Sequence, residues 1–341
     1  MEAWIGVPPW QWAVFIACII FFLALDLGVF HRHAHVVRFR EALCWTCLWV
    51  GMSLVFGLVV APRMVEGWTH QETLEYLTGY LVELSLSMDN VFVIAMIFAY
   101  FRVPPEYQHR VLFWGILGAL VMRGIMIAAG AALVQRFLWT LYIFGAFLVV
   151  TGVKMLFSRE EGVHPERNPV LRAARRWFPV TSDYVGQRFF VRQAGRTAIT
   201  PLMLVLLMVE TTDLIFAVDS IPAIFGITTK PFIVFTSNVF AILGLRSLYF
   251  VLANLIALFR YLKTGLSLVL VFIGVKMLLD PHGHKAYWWQ VEVPTMMALG
   301  VVAGILVASI LASILHVACE RRPGGEAPAK KAGGAEPAER P

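Results

Sequence analysis

The chain has 341 residues, 59% of them hydrophobic and only 15% charged. Soluble domains carry about 25% charged residues, so this composition excludes a soluble globular protein and predicts an integral membrane protein of the all-α class. A net charge of +6 does not point to nucleic acid, because the basic residues gather in connections and in the tail, where they set topology. Cys18, Cys44, Cys47 and Cys319 are too few and too scattered for a disulfide framework. Cys44 and Cys47 form a C-x-x-C without a second pair or nearby histidines, and helix packing is its simpler role.

Nine apolar spans are predicted, at 10–30, 43–61, 74–99, 110–134, 137–157, 200–225, 231–256, 262–280 and 293–316. The first has no basic segment before it and is long enough to cross a bilayer, so it is expected to be retained. Segment 158–199 carries eight arginines against four acids, and 168–178 reads as a short basic amphipathic helix at the membrane surface. Arg32, Arg38, Arg40, Arg102, Arg110, Arg260, Lys263, Arg321 and Arg322 fall on the same side by parity. The other side holds Arg63, Arg136, Lys230 and Lys285, so the expected orientation is N-out and C-in. Beyond Pro323 the chain is built of Gly, Ala, Pro, Lys and Glu and is expected to be a disordered tail.

An internal repeat divides the apolar region. Ser87-Met88-Asp89-Asn90 aligns with Ala217-Val218-Asp219-Ser220, and Glu83 then aligns with Asp213. Further along, Gly118 to Arg123 resembles Ala241 to Arg246. Gly152-Val153-Lys154-Met155-Leu156 recurs as Gly274-Val275-Lys276-Met277-Leu278. Each unit is three spans, an odd number, so the two copies are expected to be inverted, with a substrate site where they meet. The implied organisation is two helices in 1–73, a first repeat in 74–157, a loop in 158–199, a second repeat in 200–280, a last helix in 281–319 and a tail from 320.

Carboxylates at bilayer depth are costly and mark functional sites. Glu83, Asp89, Glu210, Asp213 and Asp219 are the candidates, with Arg123 and Arg246 as counter-charges. Five acids outnumber two arginines, and the surplus calls for a cation, protons or both. Ser87, Asn90, Thr212, Ser220, Asn238 and, less directly, Asp26 would add oxygen ligands, which suit hard ions such as Mn²⁺, Mg²⁺ or Ca²⁺. Residues six apart on a straight helix are offset by roughly 9 Å and ~120°. Asp213 and Asp219 therefore form two subsites, unless Pro222 interrupts the helix and lets Asp219 turn inward. Lys154 and Lys276 lie near span ends and are expected to snorkel to the interface. His31, His33 and His35 fall at a membrane boundary, where they are expected to face water rather than bind metal. No nucleophile–base arrangement, nucleotide loop or zinc-hydrolase motif is present, which argues against an enzyme.

The Glu83 to Asn90 stretch resembles the TerC family of bacterial integral membrane proteins. So do Thr200-Pro201-Leu202, Glu210-Thr211-Thr212-Asp213, Phe216 to Ala223, Ser237 to Arg246 and Phe272 to Leu278. The likeness covers roughly residues 20–280 and is nearest to the Alx branch. It implies a multi-pass protein of the bacterial inner membrane with nine spans, related to LysE-type transporters, that exports manganese past an acidic intramembrane cluster. Carried over position by position, that cluster is Glu83, Asp89, Glu210, Asp213 and Asp219. The implied partners are the lipid bilayer, a divalent cation and protons, with no permanently bound cofactor. Tellurium resistance, as a component of an envelope stress complex that transports nothing itself, is the alternative the family name carries.

Overall fold

The computed structural model describes residues 7–25, 39–158, 165–193, 195–252, 261–281 and 290–320. Its helices are α1 (Pro9–Leu25), α2 (Phe39–Val55), α3 (Ala61–Met64), α4 (His70–Tyr100), α5 (Pro105–Arg136), α6 (Thr140–Phe157), α7 (Pro169–Trp177), α8 (Pro201–Phe225), α9 (Pro231–Leu252), α10 (Leu262–Leu279) and α11 (Thr295–Glu320). Among the described residues, eight helices are long and apolar enough to cross a membrane, counting α2 and α3 as one. The first expected span is present as the shorter helix α1; its predicted end at 26–30 lies outside the described residues.

Local chemistry sets the helix starts. Pro9, Pro105, Pro169, Pro201 and Pro231 open α1, α5, α7, α8 and α9, positions where a missing N–H costs nothing. Thr69 caps α4: its hydroxyl accepts from Gln71 N at 3.1 Å, and its own N–H donates to Glu72 Oε2 at 2.7 Å. Asn168 caps α7 by accepting from Val170 N at 2.9 Å. Between α2 and α3 the chain makes a π-turn, Phe56–Val60. There Gly57 leaves room for the Tyr76 ring, whose hydroxyl meets Ser53 Oγ at 2.8 Å. An unforeseen feature of 158–199 is a hairpin, β1 (Phe190–Gln193) paired antiparallel with β2 (Arg196–Ile199), beside a glycine at φ +78°, Gly195.

Helix α9 is the centre of the bundle, with 94% of its apolar window buried, as expected of a helix that is hydrophobic all round. The contacts among the other helices are reciprocal. Near Gly79, α4 lies against Ile224 of α8; eleven residues on, Asn90 meets Asp213, eleven residues back. The two helices therefore run antiparallel. So do α6 and α10, where Gly145 meets the Gly274 carbonyl and Gly152 meets the Ser267 carbonyl. By contrast α5 runs parallel to α8, through Gly115–Val209 and Arg123–Asp213. Helix α4 runs parallel to α9, through Gly79–Ser237 and Phe98–Tyr249. Like helices antiparallel and unlike helices exchanged is the pattern that two copies of a three-helix unit make about a two-fold axis in the membrane plane.

The α6–α10 crossing depends on glycine. A β-carbon on Gly274 would come within 2.7 Å of the Gly145 carbonyl oxygen, which is backbone and cannot swing away. Gly274→Leu is expected to cost about 3 kcal/mol or more through overpacking. Gly300→Leu, with no atom within 4 Å of the new β-carbon, should be near neutral. Thermal unfolding in detergent separates the two; equal melting temperatures would contradict the packing described.

Candidate functional site

Arg123, on α5, is only 2% exposed and is the largest fully buried side chain among the described residues. Its guanidinium forks onto Asp213 of α8, with Nη2 donating to Oδ1 at 2.9 Å and Nε donating to Oδ2 at 3.1 Å. Such bidentate pairs are the strong class of charge-assisted hydrogen bond. Nη1 pairs with Glu83 of α4, which is completely buried, and also donates to Ser220 Oγ at 3.3 Å. Asn90 of α4 donates to Asp213 Oδ1 at 3.3 Å. One arginine thus binds two acids that occupy equivalent positions in the two repeats of the sequence.

Glu210 lies one turn before Asp213 and close enough for their charges to repel. Its carboxylate fills the gap at Gly118 of α5, where a β-carbon would overlap it. Sequence reasoning placed Gly118 in the repeat but missed this role, which depends on the packing of α5 against α8. Ser87 and Asn90 follow Glu83 at i+4 and i+7, on the same face of α4. Asn238 of α9 is 1% exposed. Glu83 Oε2, Ser87 Oγ, Asn90 Oδ1, Glu210 Oε2 and both polar atoms of the Asn238 side chain are buried without a hydrogen-bond partner. Thr212 turns back to donate to the Met208 carbonyl at 2.7 Å.

The remaining acids stand farther out. Because α4 and α8 are antiparallel with Asn90 level with Asp213, Asp89 shares the height of Asp213, and Asp219 shares the height of Glu83. Four of the acids form two tiers roughly 9 Å apart, each with one carboxylate from each helix; Glu210 lies one turn beyond Asp213, and Arg123 reaches from one tier to the other. Asp219 is half-buried and faces α6, where it hydrogen-bonds Thr151 near Lys154. The expected interruption at Pro222 does not occur. Helix α8 continues to Phe225, because Pro222 sits so near the end that its ring displaces only the bond to the Val218 carbonyl. Asp219 accordingly keeps its helical direction and does not turn inward.

Arg246 is buried on α9; Arg123 is the arginine that joins Glu83 to Asp213. Lys276 does not snorkel. It is 7% exposed, and its ammonium donates to the Gly226 carbonyl at 3.2 Å and to Asp280 Oδ2 at 2.7 Å, capping the end of α8. Asp26, His31, His33 and His35 lie outside the described residues. Among the described residues, no three His, Cys, Asp or Glu side chains are grouped closely enough to hold a metal. The guanidinium of Arg123 occupies the space between Glu83 and Asp213.

The bundle end at which α4 and α9 begin is tied by a second set of charges. Lys230, just before α9, pairs with Glu72 Oε1 at 2.6 Å and Glu75 Oε2 at 3.4 Å, and Thr228 Oγ1 donates to Glu75 Oε2 at 2.7 Å. Burial opposes the Lys230 charge. The hydrogen bond that Lys230 donates to Glu72 and the charges of Glu75 and Glu72 outweigh it and hold the ammonium pKa above its ordinary value.

Comparison with known proteins now decides the family. The model of the integral membrane protein TerC family matches residues 68–321. The chain belongs to the TerC family. It is 52% identical over 307 residues to an uncharacterized membrane protein, STKORF319, of Myxococcus xanthus, covering 90% of this chain and 92% of that one. It is 46% identical over 308 residues to the Escherichia coli K12 protein named "Putative membrane-bound redox modulator Alx", covering 89% and 94%. A membrane protein of Rickettsia bellii is 38% identical over 306 residues, covering 90% and 97%. No solved structure matches. Family, relatives and spans together make this TerC protein a multi-pass protein of the bacterial inner membrane.

Removing one partner of a buried ion pair leaves a stranded charge and costs about 3–5 kcal/mol. Arg123→Met is therefore expected to destabilise the protein by that amount, and adding Glu83→Gln and Asp213→Asn should recover most of it. Unfolding in detergent across this mutant cycle provides the test; losses that merely add would show that Arg123 does not bridge the two acids.

Proposed function

We propose that this protein exports a divalent cation, with Mn²⁺ favoured, from the cytoplasm across the inner membrane in exchange for protons. The observation that carries this reading is the imbalance at the centre of the bundle. Glu83 and Asp213 share the single guanidinium of Arg123, Glu210 adds a third carboxylate one turn from Asp213, and oxygens of Glu83, Ser87, Asn90 and Glu210 are buried without hydrogen bonds. Each such atom costs about 1–3 kcal/mol unless something satisfies it. A hard cation satisfies several at once, and an all-oxygen donor set suits Mn²⁺, Mg²⁺ or Ca²⁺. The reciprocal antiparallel contacts support an inverted repeat, for which a site at the meeting of the two copies is the common transporter arrangement. In this reading the two tiers are successive stations, with Asp89 and Asp219 serving one tier each. Carboxylates that hold metal in one state and protons in another supply the exchange. The arginine-rich segment 158–199 faces the cytoplasm.

The name of the Escherichia coli relative carries a second reading, redox modulation. Cys44 and Cys47 favour it, being free, exposed and one turn apart on α2. A component of a stress-response complex without transport of its own is the third reading.

Manganese efflux from proteoliposomes containing this protein alone discriminates among them. Glu210→Gln keeps the shape that fits Gly118 and leaves the Arg123 pairs intact. It is expected to slow efflux at least about tenfold, the effect of losing ~1.4 kcal/mol of cation stabilisation, while Cys44→Ser/Cys47→Ser leaves efflux unchanged. Full activity in Glu210→Gln would overturn the site. No metal-dependent flux in the wild type would favour the non-transport readings.

A further inference from the structure

Two cavities adjoin at the bundle end where α4 and α9 begin. The first, of about 450 Å³, has a polar rim that includes Glu66, Trp68, Glu72, Gln135 and Lys230. The second, of about 400 Å³, is an apolar cleft walled by Ile16 of α1 and by Gly124, Ile127 and Ala128 of α5, with Phe235 of α9 behind them. Val7 and Pro231 line both, so one molecule with a polar head and an apolar tail can lie across the two. Both volumes fall in the range of roughly 300–1,000 Å³ usual for ligand sites.

The cleft exists because α1 does not close on α5. Its aromatic residues pack toward α9 and α2 instead, Trp12 and Phe15 on Phe232 and Phe235 of α9, Phe15 also on Phe56, and Phe22 on Trp49 of α2, with Trp12 itself lining the cleft. The walls open outward: Ile16 is 43% exposed and Ile125, beside the cleft, is 65% exposed. At that depth the surrounding medium is acyl chain, and the rim lies at one end of the spans, where Trp68 meets the headgroup layer.

The charge on the rim selects the head. Lys230 is already paired with Glu72 and Glu75, and Glu66 adds a third, exposed carboxylate. An anionic headgroup would compete with two acids for one ammonium. A headgroup that carries both an ammonium and a phosphate brings its own cation for these carboxylates, so that Lys230, exchanged from one of them, is left for the phosphate. We propose that the two cavities form one lipid site that takes a zwitterionic aminophospholipid of the ethanolamine class, its acyl chain in the α1–α5 cleft and its head on the Glu66–Lys230 rim. This site is separate from the Arg123 cluster and stands whether or not the protein transports metal.

Native mass spectrometry of the full-length protein in detergent, offered phosphatidylethanolamine and phosphatidylglycerol in equal amounts, tests the assignment. The wild type is expected to retain phosphatidylethanolamine in at least about tenfold preference. Ala128→Trp, which fills the cleft, should lose retention of both lipids. Glu66→Lys, on an exposed connection, should reduce phosphatidylethanolamine retention about tenfold and leave phosphatidylglycerol no weaker. Equal retention of the two lipids, retention unaffected by Glu66→Lys, or a wild type that holds neither lipid would each overturn the proposal.

Discussion

The fork of Arg123 onto Asp213, with Glu83 on its third nitrogen, is the interaction on which the arrangement of this bundle depends. It joins α4, α5 and α8 in the interior, where no water can replace a lost partner. The desolvation of three charges is a large cost, and such clusters are seldom justified by stability alone. What the cluster supplies is definition. The antiparallel register of α4 and α8 is fixed by Asn90 and Glu83 on one helix meeting Asp213 and Ser220 on the other, all within reach of one guanidinium.

That register also determines what the other acids can do. A pair of parallel acidic helices would have stacked like on like, whereas the antiparallel pair brings Asp89 level with Asp213 and Glu83 level with Asp219. Each tier receives one acid from each of the two helices, and the arginine belongs to both. A cation entering either tier competes with a guanidinium already in place. In the transport reading, Arg123 is the fixed charge that keeps the path closed to solvent ions while no cargo is bound, and the acids alone would not provide this.

Much of this was legible in the sequence, because intramembrane charge is rare enough to be informative by itself. The all-α bundle follows from composition, and the pairing of Arg123 with Glu83 and Asp213 follows from the need of buried acids for a counter-charge, which the sequence offered equally in Arg123 and Arg246. Three features did not. Pro222 suggested a break because proline chemistry is read locally, but its effect depends on its distance from the end of α8. Lys276 looked like a snorkelling residue because hydropathy does not reveal a neighbouring helix terminus in need of a cap. The β1–β2 hairpin was hidden in a segment whose arginine content spoke first of topology. Which arginine takes which acids, and the role of Gly118 as a notch for Glu210, are properties of the packing between repeats, and no pattern within one chain segment encodes them.

In the transport reading, the oxygens around Arg123 hold the cargo ion. Anomalous scattering at the manganese edge from a structure soaked in Mn²⁺ tests it most directly. An anomalous peak bounded by Glu83, Asp213 and Glu210, with Arg123 displaced from at least one of them, is the predicted result. A peak confined to the Glu66–Glu72–Glu75 rim or to the cytoplasmic face, with the Arg123 fork unchanged at saturating metal, would contradict it.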